Sequence, residues 1–175
     1  MKLKCYKINE EAKLPTYGST YAACFDISVC LPKGGMPVLV DKNRTALVNG
    51  EDSSRYIVIH PGEVALVPTG LIFDIPEGYQ MKILPRSGLA WKNSITVLNS
   101  PGTIDEDYYN ETFVLLYNSS RNLPFRIQHG DRIAQGEIMK CNMIQFEEIS
   151  ELELGISKEL LESSRDGGLG STGMK

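Results

Sequence analysis

The chain has 175 residues, 42% of them apolar and 23% charged, with a formal net charge of −4. A chain of that length makes one domain with enough interior to fold without a disulfide or metal staple. The acidic balance excludes a general nucleic-acid binder, which needs a basic surface, but allows a small polyanion held by a few arginines and backbone amides.

The N-terminus, MKLKCYKINEEAKL, holds no long apolar stretch. No run of about 18 apolar residues occurs anywhere, so neither a signal peptide nor a membrane span is expected. Short β-type runs then follow one another: Leu3 to Ile8, Phe25 to Leu31, Tyr56 to Ile59, Val64 to Pro68, Leu71 to Ile75, Tyr79 to Leu84, Ile95 to Leu98, Thr112 to Tyr117 and Arg132 to Ile138. Pro32-Lys33-Gly34-Gly35, Pro61-Gly62, Pro76-Glu77-Gly78 and His129-Gly130-Asp131 punctuate them as turns. This spacing predicts an all-β sandwich or barrel-like fold. The segment Met36 to Arg55 reads as a surface insertion with a polar tip at Asn49 to Ser54. Ser157 to Ser164 is the one helix-like stretch, and a Gly-rich tail follows from Arg165 to Gly173. Four glycines in those nine tail residues make ordering it costly without a ligand or partner. The expected organisation is one domain, 1–164, with a flexible tail, 165–175.

Cys5, Cys24, Cys30 and Cys141 form no CxxC pair and have no histidine cluster near them. Buried free thiols are therefore expected rather than a zinc site, in a soluble protein of a cytoplasmic or other reducing intracellular compartment.

Five segments can carry chemistry. Pro85-Arg86-Ser87-Gly88-Leu89-Ala90 follows a strand, and Ser there suits the cap of a short helical turn. A hydroxyl, a guanidinium and free N–H groups together suit an anion. Asn99-Ser100-Pro101-Gly102-Thr103-Ile104-Asp105-Glu106-Asp107-Tyr108 reads as a β-hairpin or wide turn whose carboxylates can orient a water or help hold a metal. The tail's glycines, Ser171, Thr172 and Arg165 suit phosphate oxygens, although the spacing is not that of a P-loop. Asp26 stands between apolar neighbours at a strand start, and Arg132-Ile133-Ala134-Gln135 lies in a strand. Each segment also has a bland reading as an exposed turn, a solvated acidic loop, a loose terminus or a half-exposed strand.

In this order the five segments resemble the five motifs of the trimeric, all-β dUTPases, from about Ala22 to Gly173. The resemblance implies a single-domain, jelly-roll-like (β-clip) fold. It also implies a homotrimer with three shared sites, each closed by one subunit's Gly-rich tail. The implied reaction is hydrolysis of dUTP to dUMP and pyrophosphate with Mg²⁺. Such an enzyme limits uracil incorporation into DNA and supplies dUMP for thymidylate synthesis. Asp105 matches the acid that activates the attacking water, and Asp26 the acid that reaches Mg²⁺ through water. Arg86, Ser87, Gly88 and Gln135 match phosphate contacts. Asn99, Gly102, Thr103 and Ile104, with the backbone of Phe113, match the uracil-reading hairpin. Tyr108 matches the aromatic packed on deoxyribose. Arg165, Leu169, Gly170, Ser171 and Thr172 match the tail's contacts.

Several positions depart from the family pattern. Tyr109-Asn110 stands where Arg-Gly is usual, Cys24 where Gly is usual, and Gly136 where Leu is frequent. Leu169 replaces the tail aromatic and lacks a π face for uracil. Rival readings are a dCTP deaminase, which shares the fold, and a nucleotide sensor that uses 36–55 to reach a regulatory protein partner. A plain β-sandwich binding domain is a third.

Overall fold

The computed structural model describes residues 1–33, 38–41, 44–46 and 48–149. The strands in chain order are β1 (Lys4–Lys7), β2 (Thr16–Tyr17), β3 (Phe25–Ser28), β4 (Val38–Val40), β5 (Arg44–Ala46), β6 (Tyr56–Ile59) and β7 (Val64–Pro68). They continue as β8 (Leu71–Asp74), β9 (Tyr79–Leu84), β10 (Ile95–Val97), β11 (Gly102–Ile104), β12 (Phe113–Asn118), β13 (Phe125–Gln128) and β14 (Arg132–Lys140). One helix, α1 (Ser87–Asn93), follows β9.

Alternation makes these strands. In β7, β9 and β12 every second residue is buried, which is the pattern of a sheet with one face on the core. Two five-stranded sheets result, in the orders β10-β12-β7-β4-β5 and β11-β9-β14-β3-β2, with the smaller pairs β1-β8 and β13-β6 beside them. All pairings are antiparallel. Ile27, Met81 and Ile133 of one sheet join Val67 and Leu116 of the other in one core cluster with Ile57, Phe73 and Ile127. Truncating such a side chain to Ala costs about 2–5 kcal/mol.

The structure adds strands that the sequence reading lacked. Gly102–Ile104 follows Pro101 and reads locally as turn, yet it pairs with β9. Phe125–Gln128, behind Pro124, pairs with β6. The run expected to reach Leu31 ends at Ser28. Beyond it Val29 donates to the Asp131 carbonyl, Cys30 to the Pro68 carbonyl and Leu31 to His129 Nδ1, so the backbone leaves the ladder for loop partners.

The segment 36–55 is more than a surface addition. Asn49 to Ser54 is exposed, but Val38, Val40, Val48 and Arg55 are buried, and Val40 pairs with Ala65 of β7. The thiols also correct the expectation. Cys30 alone is buried; Cys5, Cys24 and Cys141 are half-buried. Burial raises the thiol pKa of Cys5, Cys24 and Cys30. The chain divides into two compact units, Met1–Asn142 and Met143–Lys175. The expected helix at Ser157 to Ser164 and the tail residues Arg165, Leu169, Gly170, Ser171 and Thr172 lie outside the described residues. Among the described residues no helix is long and apolar enough to cross a membrane.

Candidate active site

Six of the expected base- and sugar-binding residues line one cavity of about 280 Å³: Asn99, Gly102, Thr103, Ile104, Tyr108 and Phe113. Its remaining wall is apolar and includes Leu66, Ile83 and Val97. The cavity exists because the chain between β10 and β12 makes a long excursion. β10 and β12 pair with each other, while β11, which lies between them in sequence, crosses to the edge of the other sheet on β9. The segment, read from its sequence as a β-hairpin or a wide turn, is therefore a bridge between two sheets. Its start contains a cis Ser100–Pro101 peptide.

Gly102 sits at a close approach. A Cβ there would lie 3.3 Å from Asn99 Nδ2 and 3.5 Å from Ile83 Cβ, so a larger residue would make the Asn99 side chain shift by a few tenths of an ångström. Asp105 follows β11 and is exposed. Its carbonyl accepts from the Tyr108 amide at 3.2 Å, which closes the turn. The Tyr108 hydroxyl donates to the Glu111 carbonyl at 3.0 Å, fixing the ring at the cavity edge. Lys82 Nζ donates to Thr103 Oγ1 at 2.8 Å from the neighbouring strand.

A second group of expected residues gathers on the other sheet. Asp26 in β3 pairs with Gln135 in β14, and Gln135 pairs in turn with Leu84 of β9. Asp26 Oδ1 lies 2.8 Å from Arg86 Nε, and Oδ2 lies 2.9 Å from Arg132 Nη1. Arg86 Nη1 also donates to the Arg132 carbonyl at 2.8 Å, and Gln135 Nε2 to the Pro85 carbonyl at 3.0 Å. The Asp26 side chain is 13% exposed, Arg86 26% and Arg132 55%. Ser87 and Gly88 are exposed at the start of α1. The helix cap is Arg86, in an extended conformation, and Ser87 is the first helical residue, which corrects its expected capping role.

Arg132 was missed as a site residue. The available signal was the spacing. Arg132 and Gln135 are three apart, which in a regular strand puts them on opposite faces, and the residues between them, Ile133 and Ala134, are both buried. A register shift between Arg132 and Ala134 resolves this.

The dUTPase family model matches residues 52–171. The chain is 42% identical over 176 residues to the deoxyuridine 5'-triphosphate nucleotidohydrolase of Nautilia profundicola, covering 99% of each. The chain belongs to the dUTPase family. Its fold is also that of solved dUTPases. A mutant dUTPase of Staphylococcus bacteriophage 80alpha, solved with dUpNHpp, superposes with a TM-score of 0.71 at 20% identity, covering 99% of both chains. A mutant dUTPase of phage phi11 of S. aureus, solved for the coordination of a structural Mg(II) ion, gives 0.67 at 19% identity, covering 87% of this chain and 99% of that one. Those two likenesses speak for the all-β, jelly-roll-like architecture.

Two departures from the dUTPase pattern have physical answers. Gly136 lies opposite Phe25, and a Cβ on it would sit 2.5 Å from the Phe25 ring. This chain thus fills with Phe25 the space that a larger residue at 136 would take, and Tyr17 packs edge-on against that ring at 5.9 Å. Asn110 is not among the described residues with positive φ, so the turn after Tyr109 does not need glycine.

Proposed function

We propose that this dUTPase family member hydrolyses dUTP to dUMP and pyrophosphate at a site shared between copies of the chain. The observation that carries this reading is the clustering of Asn99, Gly102, Thr103, Ile104, Tyr108 and Phe113 around one small, apolar-walled cavity. A closed wall of that kind rejects thymine's methyl group. Backbone groups of Gly102 to Ile104 can match uracil's O4 and N3–H and refuse cytosine's amino group. Tyr108, held by its bond to Glu111, leaves no room for a 2′-hydroxyl.

Asp105 is the general base. It takes a proton from water as the water oxygen bonds to the α-phosphorus and the bond to the bridging oxygen breaks, releasing pyrophosphate. Arg86 and Gln135 bind phosphate oxygens, with Ser87 and Gly88 beside them. A guanidinium has more donors than the contacts Arg86 makes to Asp26 and Arg132, so it can hold a phosphate without leaving either.

The donor set fits a Mg²⁺ held mainly by triphosphate and water. Among the described residues no group of three His, Cys, Asp or Glu side chains can cage a metal, and Asp26 already has a guanidinium on each oxygen. A carboxylate so placed would hold water carried by Mg²⁺ and not the ion itself. When bound, Mg²⁺ offsets the charge that develops on pyrophosphate.

Strand geometry supports sharing between copies. Asp26 is three strands across and three rows along from Ile104, the residue before Asp105. At about 4.8 Å per strand and 3.3 Å per row the two are roughly 17 Å apart. That is long for a base at the α-phosphorus and an acid at the metal of one nucleotide, and a homotrimer with composite sites removes the problem. The tail from Arg165, with Leu169, Gly170, Ser171 and Thr172, would close over the phosphates and exclude water.

The test is pyrophosphate release from dUTP, dCTP, dTTP and UTP, with Mg²⁺ and with chelator. Release from dUTP alone, lost with chelator, is the expected result. Ammonia release from dCTP would instead favour the deaminase. Asp105→Asn should lose about 100-fold or more of turnover and keep nucleotide affinity.

A further inference from the structure

We infer that Arg132 is a positioning residue for the reaction, acting through Asp26 and Arg86 and not on the nucleotide. A β-bulge at Ile133 is the device that puts it there. This deepens the reading of the site given above and rests on it.

The geometry starts from register. In an antiparallel pair, residues opposite one another project to the same face, and residues two apart on one strand share a face. Arg132 is opposite Ser28, and Gln135 is opposite Asp26. Ser28 and Asp26 are two apart, so Arg132 and Gln135 share their face despite being three apart in sequence. Only the extra residue between Arg132 and Ala134 allows this, as a bulge puts two residues opposite one and re-aims a side chain. Ile133 and Ala134 turn their side chains inward and are buried, which anchors the bulge in the core.

The re-aimed Arg132 does two things at once. Its guanidinium takes Asp26 Oδ2 at 2.9 Å while Arg86 takes Oδ1 at 2.8 Å. Its carbonyl accepts from Arg86 Nη1 at 2.8 Å. Arg132 therefore fixes the acid with its side chain and the phosphate-binding arginine with its backbone. A phosphate drawing on Arg86 weakens the attraction between Arg86 and Asp26. Arg132, bound to the other oxygen, then keeps Asp26 from turning. The Arg132 side chain is 55% exposed, so its removal should disturb the fold little.

The test is a double-mutant cycle in the full-length protein: wild type, Arg132→Met, Asp26→Asn and the double variant. Each is assayed for kcat/KM on dUTP with Mg²⁺, and for the Kd of the non-hydrolysable analogue α,β-imido-dUTP with Mg²⁺. Arg132→Met should lower kcat/KM about 10-fold to 100-fold, the scale of a small misplacement at a reacting centre. The double variant should be no worse than Asp26→Asn, because Arg132 then has nothing left to hold. Circular dichroism and thermal unfolding of Arg132→Met should match wild type. Losses that multiply would show Arg132 acting on the nucleotide itself and overturn the inference, as would an Arg132→Met protein with full activity. If wild type releases no pyrophosphate from dUTP, the functional reading fails, and the binding cycle still decides the role of Arg132.

Discussion

Two arginines in this chain meet carboxylates in nearly the same way and serve opposite ends. Arg86 lies 2.8 Å from Asp26, and Arg55 lies 2.7 Å from Glu11. Arg86 remains 26% exposed, with donors left for a ligand. Arg55 is 2% exposed, and its Nε and Nη1 are buried without a protein partner among the described residues. Around Arg55 the chain is tied inward: its Nη2 donates to Glu11 and His129 Nδ1, and its carbonyl accepts from the His129 amide. Glu11 also pairs with Lys33. On the proposed reading the same kind of ion pair is a binding element where its guanidinium is accessible and a structural bolt where its guanidinium is buried. Burial decides, because the unused donors of an interior guanidinium are out of a ligand's reach.

The largest effect should come from exchanging what the two arginines lose. Arg86→Met should lower kcat/KM for dUTP about 100-fold to 1000-fold, the range for removing one donor to a developing charge. Its stability should move by about 1 kcal/mol or less, as Asp26 keeps Arg132. Arg55→Ala should behave inversely, with stability down about 2–5 kcal/mol because a large buried side chain leaves a cavity, and kcat/KM of the folded protein near wild type. Urea unfolding and steady-state rates on the same preparations check both. If Arg55→Ala lost activity without stability, the division between the two arginines would be wrong.

The two arginines also mark what the sequence could and could not say. That Asn99, Gly102, Thr103, Ile104 and Tyr108 line one cavity was legible because they are nearly contiguous, and a local motif survives intact in a local reading. The Asp26 cluster was legible only as separate fragments. That Asp26, Arg86 and Gln135 meet depends on the order β9-β14-β3, which no local pattern encodes. Arg132 escaped because the bulge breaks the two-residue period on which strand reading depends. Arg55 escaped for a different reason. It ends a polar stretch that reads as a loop, and only the pairing of Asn49 with Tyr56 and of β6 with β13 carries it inside. The strands β6, β7 and β9 have the bounds that their alternation predicts, since each has one face on the core.

Acid should act on the Arg55 side of the comparison through stability. His129 Nδ1 accepts from both Leu31 N and Arg55 Nη2, so its proton must be on Nε2 and the ring must be neutral. Burial, and then the charge of Arg55, hold His129 below its ordinary 6.5, with Lys13 acting in the same direction and Glu11 against it. The unfolded chain therefore takes up that proton first. The contribution of His129 is complete above pH 6.5 and shrinks as pH falls through that value. Glu11, held below 4.5 first by its bond to Lys33 and also by Arg55, contributes fully above 4.5 and loses that contribution at lower pH. Both groups make the fold weaker in acid. His129→Asn keeps an acceptor for Leu31 and should flatten the stability profile just below pH 6.5. An unchanged slope there would assign the acid sensitivity elsewhere.

The smallest effect should come from Glu111, a carboxylate held without an arginine. Its Oε1 accepts from the Gly70 amide at 2.7 Å. Burial raises its carboxyl above the ordinary 4.5, and the backbone groups of Gly70 and Thr69 pull against that rise. A raised carboxyl contributes most below 4.5 and loses that contribution as pH rises through its value in the folded chain. At neutral pH the charge is therefore a burden that Glu11 escapes through its cations. Glu111→Gln keeps an acceptor oxygen for Gly70 and removes the charge. Thermal unfolding at pH 7 should show a gain of about 0.5–1 kcal/mol, or roughly 1–4 °C, that fades toward pH 4. A loss at pH 7 would mean that the ionised carboxylate bonds to Gly70 strongly enough to outweigh its burial. A backbone amide would then do for Glu111 what an arginine does for Glu11.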